Sequence, residues 1–212
     1  MRILIAVPTF ENITPDTFKS IYELDTCGNE VGFDFVRGYD CATARNHIVM
    51  EAKDSGADYV LMVDNDVVLP DDVIRNFTEE LTDVCLGFYA HRDGDNIYRG
   101  RTCLCKLRTP EGDDYFNYPL ESEYTEDEMR ALRKNGTKRI RIHGGGMGCA
   151  FIKTSVFDRI KYPWYDWVNY RNMGMLSEDL YFCEQCKHAS IPIMADTRNG
   201  CGHLLRHVQT VM

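Results

Sequence analysis

The chain of 212 residues lacks a long hydrophobic run and lacks an excess of basic residues. Its longest apolar run covers residues 59–63, far short of the roughly 18 residues of a membrane-spanning helix, so we expect no membrane span. The 33 acidic residues outnumber the 24 basic ones, and a net charge of −9 argues against a nucleic-acid partner. Internal repeats and linker-like segments are also missing. The sequence therefore predicts a single domain over residues 1–212.

A secretory signal is missing as well. The first residues are apolar, but they run into Pro8, Thr9 and Glu11 without a cleavage-type ending, which predicts a strand rather than a signal peptide. Nine cysteines without such a signal indicate free thiols in a reducing compartment. We therefore expect a cytoplasmic protein.

The first half of the chain alternates between strand and helix patterns. Strands are predicted over residues 2–7, 30–36, 58–63 and 83–89. Helices are predicted from Thr14-Pro15, over residues 42–55 and from Pro70. This βαβαβαβ order predicts an α/β fold with a mostly parallel central sheet and helices on both faces.

The second half is less regular. A strand interrupted by Gly100 is predicted over residues 97–107, and residues 109–123 resemble a loop. Thr125 and Glu128 have the spacing of a capping box, which predicts a short helix. Further elements are a strand over residues 149–153, a helix from Ser155, a helix over residues 177–189 and a strand over residues 192–196.

An acidic triplet, Asp64-Asn65-Asp66, follows the apolar strand at residues 58–63. Open α/β sheets bind their ligands at the carboxyl ends of such strands. Side chains two residues apart on an extended chain point to the same side, so both carboxylates can face one cation. Mg²⁺ and Mn²⁺ favour carboxylates together with substrate phosphates. The triplet therefore predicts a divalent metal site, although a solvated turn before a helix has the same composition.

Several motifs occur together in one order along the chain. They are residues 3–9, Ala44-Arg45-Asn46, residues 58–66, Leu69-Pro70, and residues 145–151, 178–183 and 201–203. As a set they resemble the glycosyltransferases of the GT-A fold, in particular the family-2-like enzymes, over nearly the whole chain. The resemblance implies a Rossmann-like central sheet with a nucleotide-binding half in residues 1–90 and an acceptor-side half in residues 91–212.

The resemblance also implies roles for residues on the donor side. The nucleotide is expected to contact Pro8, Thr9, Arg37, Arg45, Asp64 and Asn65. Many relatives end the second strand with a pair of acids, whereas here Arg37 or Asp40 would replace that contact. The expected cofactor is Mn²⁺ or Mg²⁺, held by Asp64, Asp66 and His203.

On the acceptor side, the resemblance implies a catalytic base in Asp179, with Glu178 as second candidate. Both acids also suit the N-terminus of a helix, where negative charge is favourable. Gly145 and Gly146 are expected to let the backbone approach the donor or acceptor sugar, although a flexible turn has the same composition. Trp164, Tyr165 and Trp167 suit either a sugar-stacking platform or the core.

The function that these expectations describe is transfer of a sugar from a nucleotide-diphosphate donor, with UDP or GDP expected, to an unidentified hydroxyl acceptor. A non-catalytic nucleotide-sugar-binding protein is one alternative. Nucleotidyl transfer ranks low, because no glycine-rich basic loop follows the first strand. A structural zinc site is another alternative, since Cys183, Cys186, Cys201 and His203 have roughly the required spacing. Buried thiols are the preferred explanation of the first two cysteines, because they lie one turn apart on a predicted helix.

Overall fold

A computed structural model describes residues 1–93, 96–107, 122–170 and 174–204. The strands are β1 (Arg2–Thr9), β2 (Glu30–Arg37), β3 (Tyr59–Val63), β4 (Val67–Val68), β5 (Val84–Phe88), β6 (Ala90–Asp93), β7 (Asn96–Cys105), β8 (Glu123–Thr125), β9 (Arg139–Ile142), β10 (Gly144–Gly145), β11 (Cys149–Lys153), β12 (Val168–Tyr170), β13 (Gly174–Leu176), β14 (Ile193–Gly200) and β15 (Gly202–His203). The helices are α1 (Pro15–Tyr22), α2 (Cys41–Asp54), α3 (Val73–Glu79), α4 (Glu126–Lys134) and α5 (Glu178–His188), and a short 3₁₀ helix covers Thr154–Asp158.

Seven strands form the central sheet in the order β2-β1-β3-β11-β5-β14-β9. Strand β1 pairs in parallel with β2 and β3, and β5 pairs in parallel with β14. Strand β11 is antiparallel to both β3 and β5, and β9 is antiparallel to β14. Five of the seven strands run in the same direction, and only β11 and β9 run against them, so the sheet is mostly parallel, as predicted. Strand β11, from residues 91–212, lies between β3 and β5, from residues 1–90, so both halves of the chain share one sheet.

Helices cover both faces of the sheet because its central strands are apolar on both sides. On β1, Ile3, Ile5 and Val7 point to the face that is covered by α1 and α3. Leu4 and Ala6 point to the opposite face, where α2, α4 and α5 contribute buried side chains. Each large aliphatic side chain buried in this way contributes about 1.5–3 kcal/mol. In the described ranges, no helix combines the length and the apolar character needed to cross a membrane.

The helix boundaries follow the capping signals in the sequence. The Thr14 side chain caps α1, with Pro15 as its first residue. Thr125 and Glu128 form the predicted reciprocal capping box at the start of α4. Gly56, just beyond α2, has a φ of 68°, the left-handed conformation of a glycine stop. These local predictions are confirmed because caps depend on contacts within one turn of the helix.

The structure differs from the predictions in the less regular half. The helix predicted from Ser155 is only a short 3₁₀ helix. Residues 109–121 of the predicted loop over residues 109–123 lie outside the described residues. Its last residue, Glu123, begins β8 and pairs with β7 instead of remaining in a loop.

The side chain of Asn46 binds the aromatic segment after the 3₁₀ helix to α2. Asn46 Oδ1 accepts hydrogen bonds from the backbone N–H groups of Trp164 (3.0 Å) and Tyr165 (3.2 Å). Asn46 Nδ2 donates to the carbonyl oxygen of Tyr165 at 2.8 Å. Trp164 and Tyr165 are buried in the core, whereas Trp167 is 44% exposed. Of the three aromatic candidates for sugar stacking, only Trp167 is at the surface.

We expect Asn46→Ala to destabilise the protein by about 1–3 kcal/mol, because the substitution leaves buried backbone groups of the aromatic segment without partners. Alanine is the better helix former, so any loss of stability reports the missing hydrogen bonds. Thermal unfolding measures this loss. Glu51→Ala, an exposed change on the same helix, is the control and should shift the stability by less than about 0.5 kcal/mol. Equal stability of the two variants would contradict the prediction.

Candidate active site

The candidate residues gather where the parallel strands end. Strand β1 ends at Thr9, β3 leads directly into Asp64, and β14 leads through Cys201 to His203. Strand β11 runs in the opposite direction, so its beginning lies at this edge, and the N–H of Asp64 donates to the carbonyl oxygen of Gly148 at 3.1 Å. The fold therefore brings together segments that lie far apart in the sequence.

The acidic triplet forms a turn rather than an extended chain. The N–H of Val67 donates to the carbonyl oxygen of Asp64 at 3.1 Å, which closes the turn. The expectation of an extended triplet is therefore wrong, and the two carboxylates have different partners. Asp64 Oδ1 accepts from Arg45 Nη2 at 2.9 Å, whereas Asp66 Oδ1 lies 3.6 Å from His203 Nε2. Asp66 is buried, with only 6% of its surface exposed.

His203 reaches the triplet because β15 pairs with β4. In this antiparallel pair, His203 lies opposite Val67. The N–H of Leu204 also donates to the carbonyl oxygen of Asp66 at 2.9 Å. The ring nitrogen Nδ1 of His203 lies 2.8 Å from the carbonyl oxygen of Ala90. A carbonyl oxygen accepts only, so Nδ1 carries a proton, and the lone pair of the neutral ring belongs to Nε2.

Arg45 forms the centre of a group of carboxylates. Its side chain is 1% exposed, and besides its hydrogen bond to Asp64 it lies near both acids at the start of α5. Arg45 Nε is 3.6 Å from Glu178 Oε1, and Arg45 Nη2 is 3.4 Å from Asp179 Oδ1. The Tyr165 ring lies beside the guanidinium, with its centroid 6.0 Å from Cζ. One buried cation thus faces three carboxylates.

Burial, together with this excess of negative charge, perturbs Asp179. Burial raises the pKa of the Asp179 carboxyl well above its ordinary value, and the nearby Glu178 and Asp64 act in the same direction. The Arg45 guanidinium and a hydrogen bond from the backbone N–H of Met147 oppose the rise in pKa. A carboxylate with a raised pKa accepts a proton more readily near neutral pH, which suits a general base.

The nucleotide candidates lie beside the triplet. Asn65 Nδ2 donates to Thr9 Oγ1 at 3.3 Å and to the carbonyl oxygen of Asn12 at 2.8 Å, so it ties the triplet to the loop after β1. Pro8 is buried beside Thr9 within β1. Arg37 lies opposite Thr9 at the end of β2 and is exposed. All of these residues are at the same edge of the sheet.

Asp40 has a local structural role. Its side chain caps α2, accepting from the N–H of Thr43 at 3.1 Å and from Thr43 Oγ1 at 2.6 Å. These hydrogen bonds lower the pKa of Asp40, since they favour its charged form. The cap accounts for Asp40, so Arg37 remains as the candidate for the contact that acids make in many relatives.

Neighbouring protein atoms leave no room for a side chain at Gly145 or Gly146. A Cβ atom at Gly145 would lie 2.9 Å from the carbonyl oxygen of Cys103. At Gly146 it would collide with the hydroxyl group of Tyr89. Gly145 belongs to β10, which pairs with β7, so this segment is a strand and not a flexible turn. Packing within the protein is thus sufficient to require both glycines.

Two residues at the site have no counterpart among the sequence predictions. Tyr89 follows β5 directly, as Asp64 follows β3, and its hydroxyl accepts from the N–H of Gly148 at 3.0 Å. A Cβ atom at Gly148 would lie 2.6 Å from Asp64 Oδ2 and 2.9 Å from Tyr89 Cζ. Tyr89 could have been found from the sequence, because it is the last residue of the strand predicted over residues 83–89. The closeness of Gly148 to Asp64 and Tyr89 is visible only in the tertiary structure.

The four residues of the alternative zinc site do not meet. Cys183 Sγ lies 3.8 Å from the carbonyl oxygen of Gly145, and Cys201 Sγ lies 3.7 Å from that of Asn199. Burial also raises the pKa of the Cys186 thiol to about 12, as expected for a thiol in an apolar core. Cys183 and Cys186 are core residues of α5. The packing of α5 therefore speaks against a zinc module.

Among residues 1–93, 96–107, 122–170 and 174–204, no three or more His, Cys, Asp or Glu side chains are grouped closely enough to count as a metal centre. This holds for the expected set of Asp64, Asp66 and His203 too. In that set Asp66 and His203 face each other, while one oxygen of Asp64 is occupied by Arg45.

Comparison with known proteins finds similar folds. No protein-family profile matches the sequence, and no curated protein matches it. A197 from STIV superposes with a TM-score of 0.60 at 17% identity, over 96% of this chain and 86% of that one. GalNAc-T7, solved with UDP, GalNAc and Mn²⁺, superposes with a TM-score of 0.55 at 12% identity, over 94% of this chain and 43% of that one. S. aureus TarS 1–349 superposes with a TM-score of 0.51 at 14% identity, over 96% of this chain and 60% of that one.

These similar structures are glycosyltransferases, and the chain has the GT-A-like fold that its motifs predicted. At identities of 12–17%, the similarity shows the fold alone. The chain spans most of A197 but less than two thirds of the other two structures.

The raised pKa of Asp179 predicts how its stability depends on pH. Above about pH 3.9, the ordinary value of an aspartate, the folded protein keeps a proton that the unfolded chain loses, so the free energy of unfolding falls as the pH rises. Asp179→Asn removes this penalty. We expect the variant to unfold at the same or a higher temperature than the wild type at pH 7, with the difference disappearing towards pH 4.

Thermal unfolding between pH 4 and pH 8 measures this difference. Asp71→Asn, an exposed change in the loop before α3, is the control and should show no such trend. A clear loss of stability in Asp179→Asn at pH 7 would contradict the prediction, because it would mean that the protein favours the ionised carboxylate.

Proposed function

We propose that the protein is a metal-dependent glycosyltransferase, which moves a sugar from a nucleotide-diphosphate sugar to a hydroxyl acceptor. The observation that carries the proposal is the position of the acid pair Glu178-Asp179 beside Asp64, the first acid of the triplet, around one buried guanidinium. The fold shared with GalNAc-T7, whose structure contains UDP, GalNAc and Mn²⁺, supports it. A cytoplasmic location stays a prediction from the cysteine content.

The pair of Asp66 and His203 suits a divalent cation. With Nδ1 donating to Ala90, the lone pair of a neutral His203 ring is on Nε2, 3.6 Å from Asp66 Oδ1. A neutral His203 ring presents this lone pair beside the Asp66 carboxylate, where one cation can reach both groups. Metal-ligating histidines generally donate their other ring nitrogen to a carbonyl or a carboxylate, as His203 does. We therefore assign Mn²⁺ or Mg²⁺ to Asp66 and His203, with Asp64 as the third candidate.

The charge balance of the edge also favours a cation. Asp64, Asp66, Glu178 and Asp179 contribute four carboxylates, and Arg45 is the cation that lies among three of them. A bound divalent ion would reduce this excess and would stabilise the negative charge that develops on the diphosphate leaving group.

The donor nucleotide is assigned to the carboxyl ends of β1 and β2. Thr9 and Asn65 present a hydroxyl and an amide at the base of the loop after β1, and Pro8 forms the adjoining wall. Arg37 is exposed beside Thr9 and would pair with a negatively charged group of the donor. We expect UDP or GDP, with Gly145 and Gly146 on the side of the transferred sugar.

Asp179 is assigned as the general base, with Glu178 as second candidate. In a direct displacement, Asp179 takes the proton of the acceptor hydroxyl while the acceptor oxygen bonds to the anomeric carbon of the donor. The bond from that carbon to the diphosphate oxygen breaks, and the nucleoside diphosphate leaves with the bonding electrons. The raised pKa of Asp179 favours its part in this step.

The first test is a thermal-shift panel of UDP, GDP, CDP, ADP and dTDP, each with Mn²⁺ and with a chelator. A ligand at about 100 times its Kd adds roughly 2.7 kcal/mol, which corresponds to about 5–10 °C in a domain of this size. We expect one nucleotide to stabilise the protein, and only with metal. Asp66→Asn should abolish this shift. Asp71→Asn, an exposed acid close by in the chain, should keep it.

Metal-dependent binding by Asp66→Asn equal to that of the wild type would overturn the assignment of Asp66. No response of the wild-type protein to any nucleotide would count against the proposed function as a whole.

A second test separates an enzyme from a protein that only binds nucleotide sugars. If Asp179 is the base, Asp179→Asn should lower donor turnover by about 10²–10⁴-fold while leaving nucleotide affinity nearly unchanged. Release of nucleoside diphosphate from the donor that the panel identifies measures turnover. Wild-type protein that binds this donor and shows no turnover, with a carbohydrate acceptor or with water, would favour the binding protein.

A further inference from the structure

The geometry points to Arg45 as a positioning residue, whose buried guanidinium holds the metal-side acid Asp64 and the base-side acids Glu178 and Asp179 in one arrangement instead of binding the nucleotide. The roles of these acids rest on the proposed function. The contacts themselves do not, and they replace the nucleotide contact that the sequence motif implies for Arg45.

The surroundings of Arg45 leave it little access to a ligand. Its side chain is 1% exposed, with Asp64, Glu178 and Asp179 around the guanidinium. The ring of Tyr165 lies at 6.0 Å from Cζ. That ring is itself immobilised, because Asn46 binds the Tyr165 backbone and Phe182 stacks on the ring at 5.0 Å. A phosphate would have to displace a carboxylate to reach the guanidinium.

The three acids are held in two different ways. Asp64 accepts a well-formed hydrogen bond from Arg45 at 2.9 Å. Glu178 and Asp179 lie at ion-pair distances of 3.6 and 3.4 Å from the guanidinium. Within the described part of the chain, the buried atoms Nε and Nη1 of Arg45 and Oδ1 of Asp179 have no hydrogen-bond partner.

This difference has a chemical consequence. Arg45 fixes Asp64 by direction and distance, but it attracts Asp179 by charge without occupying Oδ1 with a hydrogen bond. The carboxyl group of Asp179 is therefore held in place, and because its side chain is 20% exposed it remains within reach of a substrate hydroxyl. A positioning role for Arg45 explains why an arginine is buried here with donors unused, which is costly in a protein interior.

A second buried arginine provides a matched control. Arg139 is 5% exposed in its side chain and lies 3.4 Å from the buried Asp196. This pair connects β9 with β14 away from the acidic triplet. Its loss should destabilise the fold as strongly as the loss of Arg45 does, without any coupling to Asp179.

The first experiment needs no ligand. Thermal unfolding is measured for Arg45→Met, Asp179→Asn and the double variant, and for the same cycle with Arg139→Met. Breaking a buried ion pair should lower the Tm by roughly 6–20 °C in both single arginine variants. Adding Asp179→Asn should recover about 3 °C or more in the Arg45→Met background, beyond its effect in the wild type. It should recover nothing further in the Arg139→Met background.

The second experiment uses the nucleotide and donor that the panel identifies, at a temperature where the variants are folded. Arg45→Met should lower kcat for release of nucleoside diphosphate by about 100-fold or more, the size of a lost general base. The Kd for the nucleotide with Mn²⁺ should rise by less than about tenfold, since Asp66 and His203 remain in place and only the position of Asp64 is affected. Arg45→Lys, which keeps the charge, should recover part of the rate. If Arg45→Met does not fold, Arg45→Lys carries both experiments, with smaller effects in the same direction.

Failure of the positioning role and failure of the proposed function give different results in these two experiments. Equal effects of Asp179→Asn in all backgrounds would overturn the positioning role and leave the proposed function standing. A Kd raised about tenfold or more with kcat unchanged would also overturn it, since that result identifies a nucleotide ligand. A wild type that binds no nucleotide removes the proposed function, while the thermal cycle still decides whether Arg45 and Asp179 are coupled.

Discussion

The buried guanidinium of Arg45 is the interaction on which the site depends. Transfer of a charge into a protein interior costs several kcal/mol unless partners compensate it. Here the partners come from the turn after β3 and from the first turn of α5, while Arg45 itself lies on α2. These three elements must therefore pack together before the charge is satisfied, and the site forms only when the fold is complete.

A second buried charge network in the protein has the opposite charge balance. Asp196 is fully buried and faces two arginines, Arg139 at 3.4 Å and Arg198 at 2.7 Å. At the site the ratio is reversed, since one arginine faces three carboxylates. The first network satisfies its acid with excess positive charge, which serves stability. The second leaves an excess of negative charge, which is a property of sites that bind cations or move protons.

The backbone around the site also packs closely against its side chains. Strand β11 is antiparallel to its neighbours β3 and β5. Gly148, just before β11, therefore lies at the same edge of the sheet as Asp64 and Tyr89, which follow β3 and β5. There is no space for a side chain at Gly148, because a Cβ atom would contact the Asp64 carboxylate. The close approach holds the carboxylate between the backbone of one strand and the ring that follows another.

The strands, caps and helices of the first half were predictable, because alternation, capping boxes and glycine stops act over a few residues. The position of Asp64 at the end of a buried strand followed from the same local pattern. The antiparallel direction of β11 was not predictable, since an apolar strand such as residues 149–153 has the same composition in either direction. The turn at the triplet was missed for a similar reason. Its closing hydrogen bond from Val67 leaves no mark in the composition.

The sequence by itself determined the fold class, the order of most elements and the identity of the acids at the site, because periodicity and local capping are written in neighbouring residues. Only the tertiary structure decided which charges meet. It placed His203 beside Asp66 through the pairing of β15 with β4, and it buried Arg45 among carboxylates. Apart from Arg45 and Asp64, which are 19 positions apart, those contacts join residues more than a hundred positions apart. Their energies depend on burial, which the packing of the whole sheet creates.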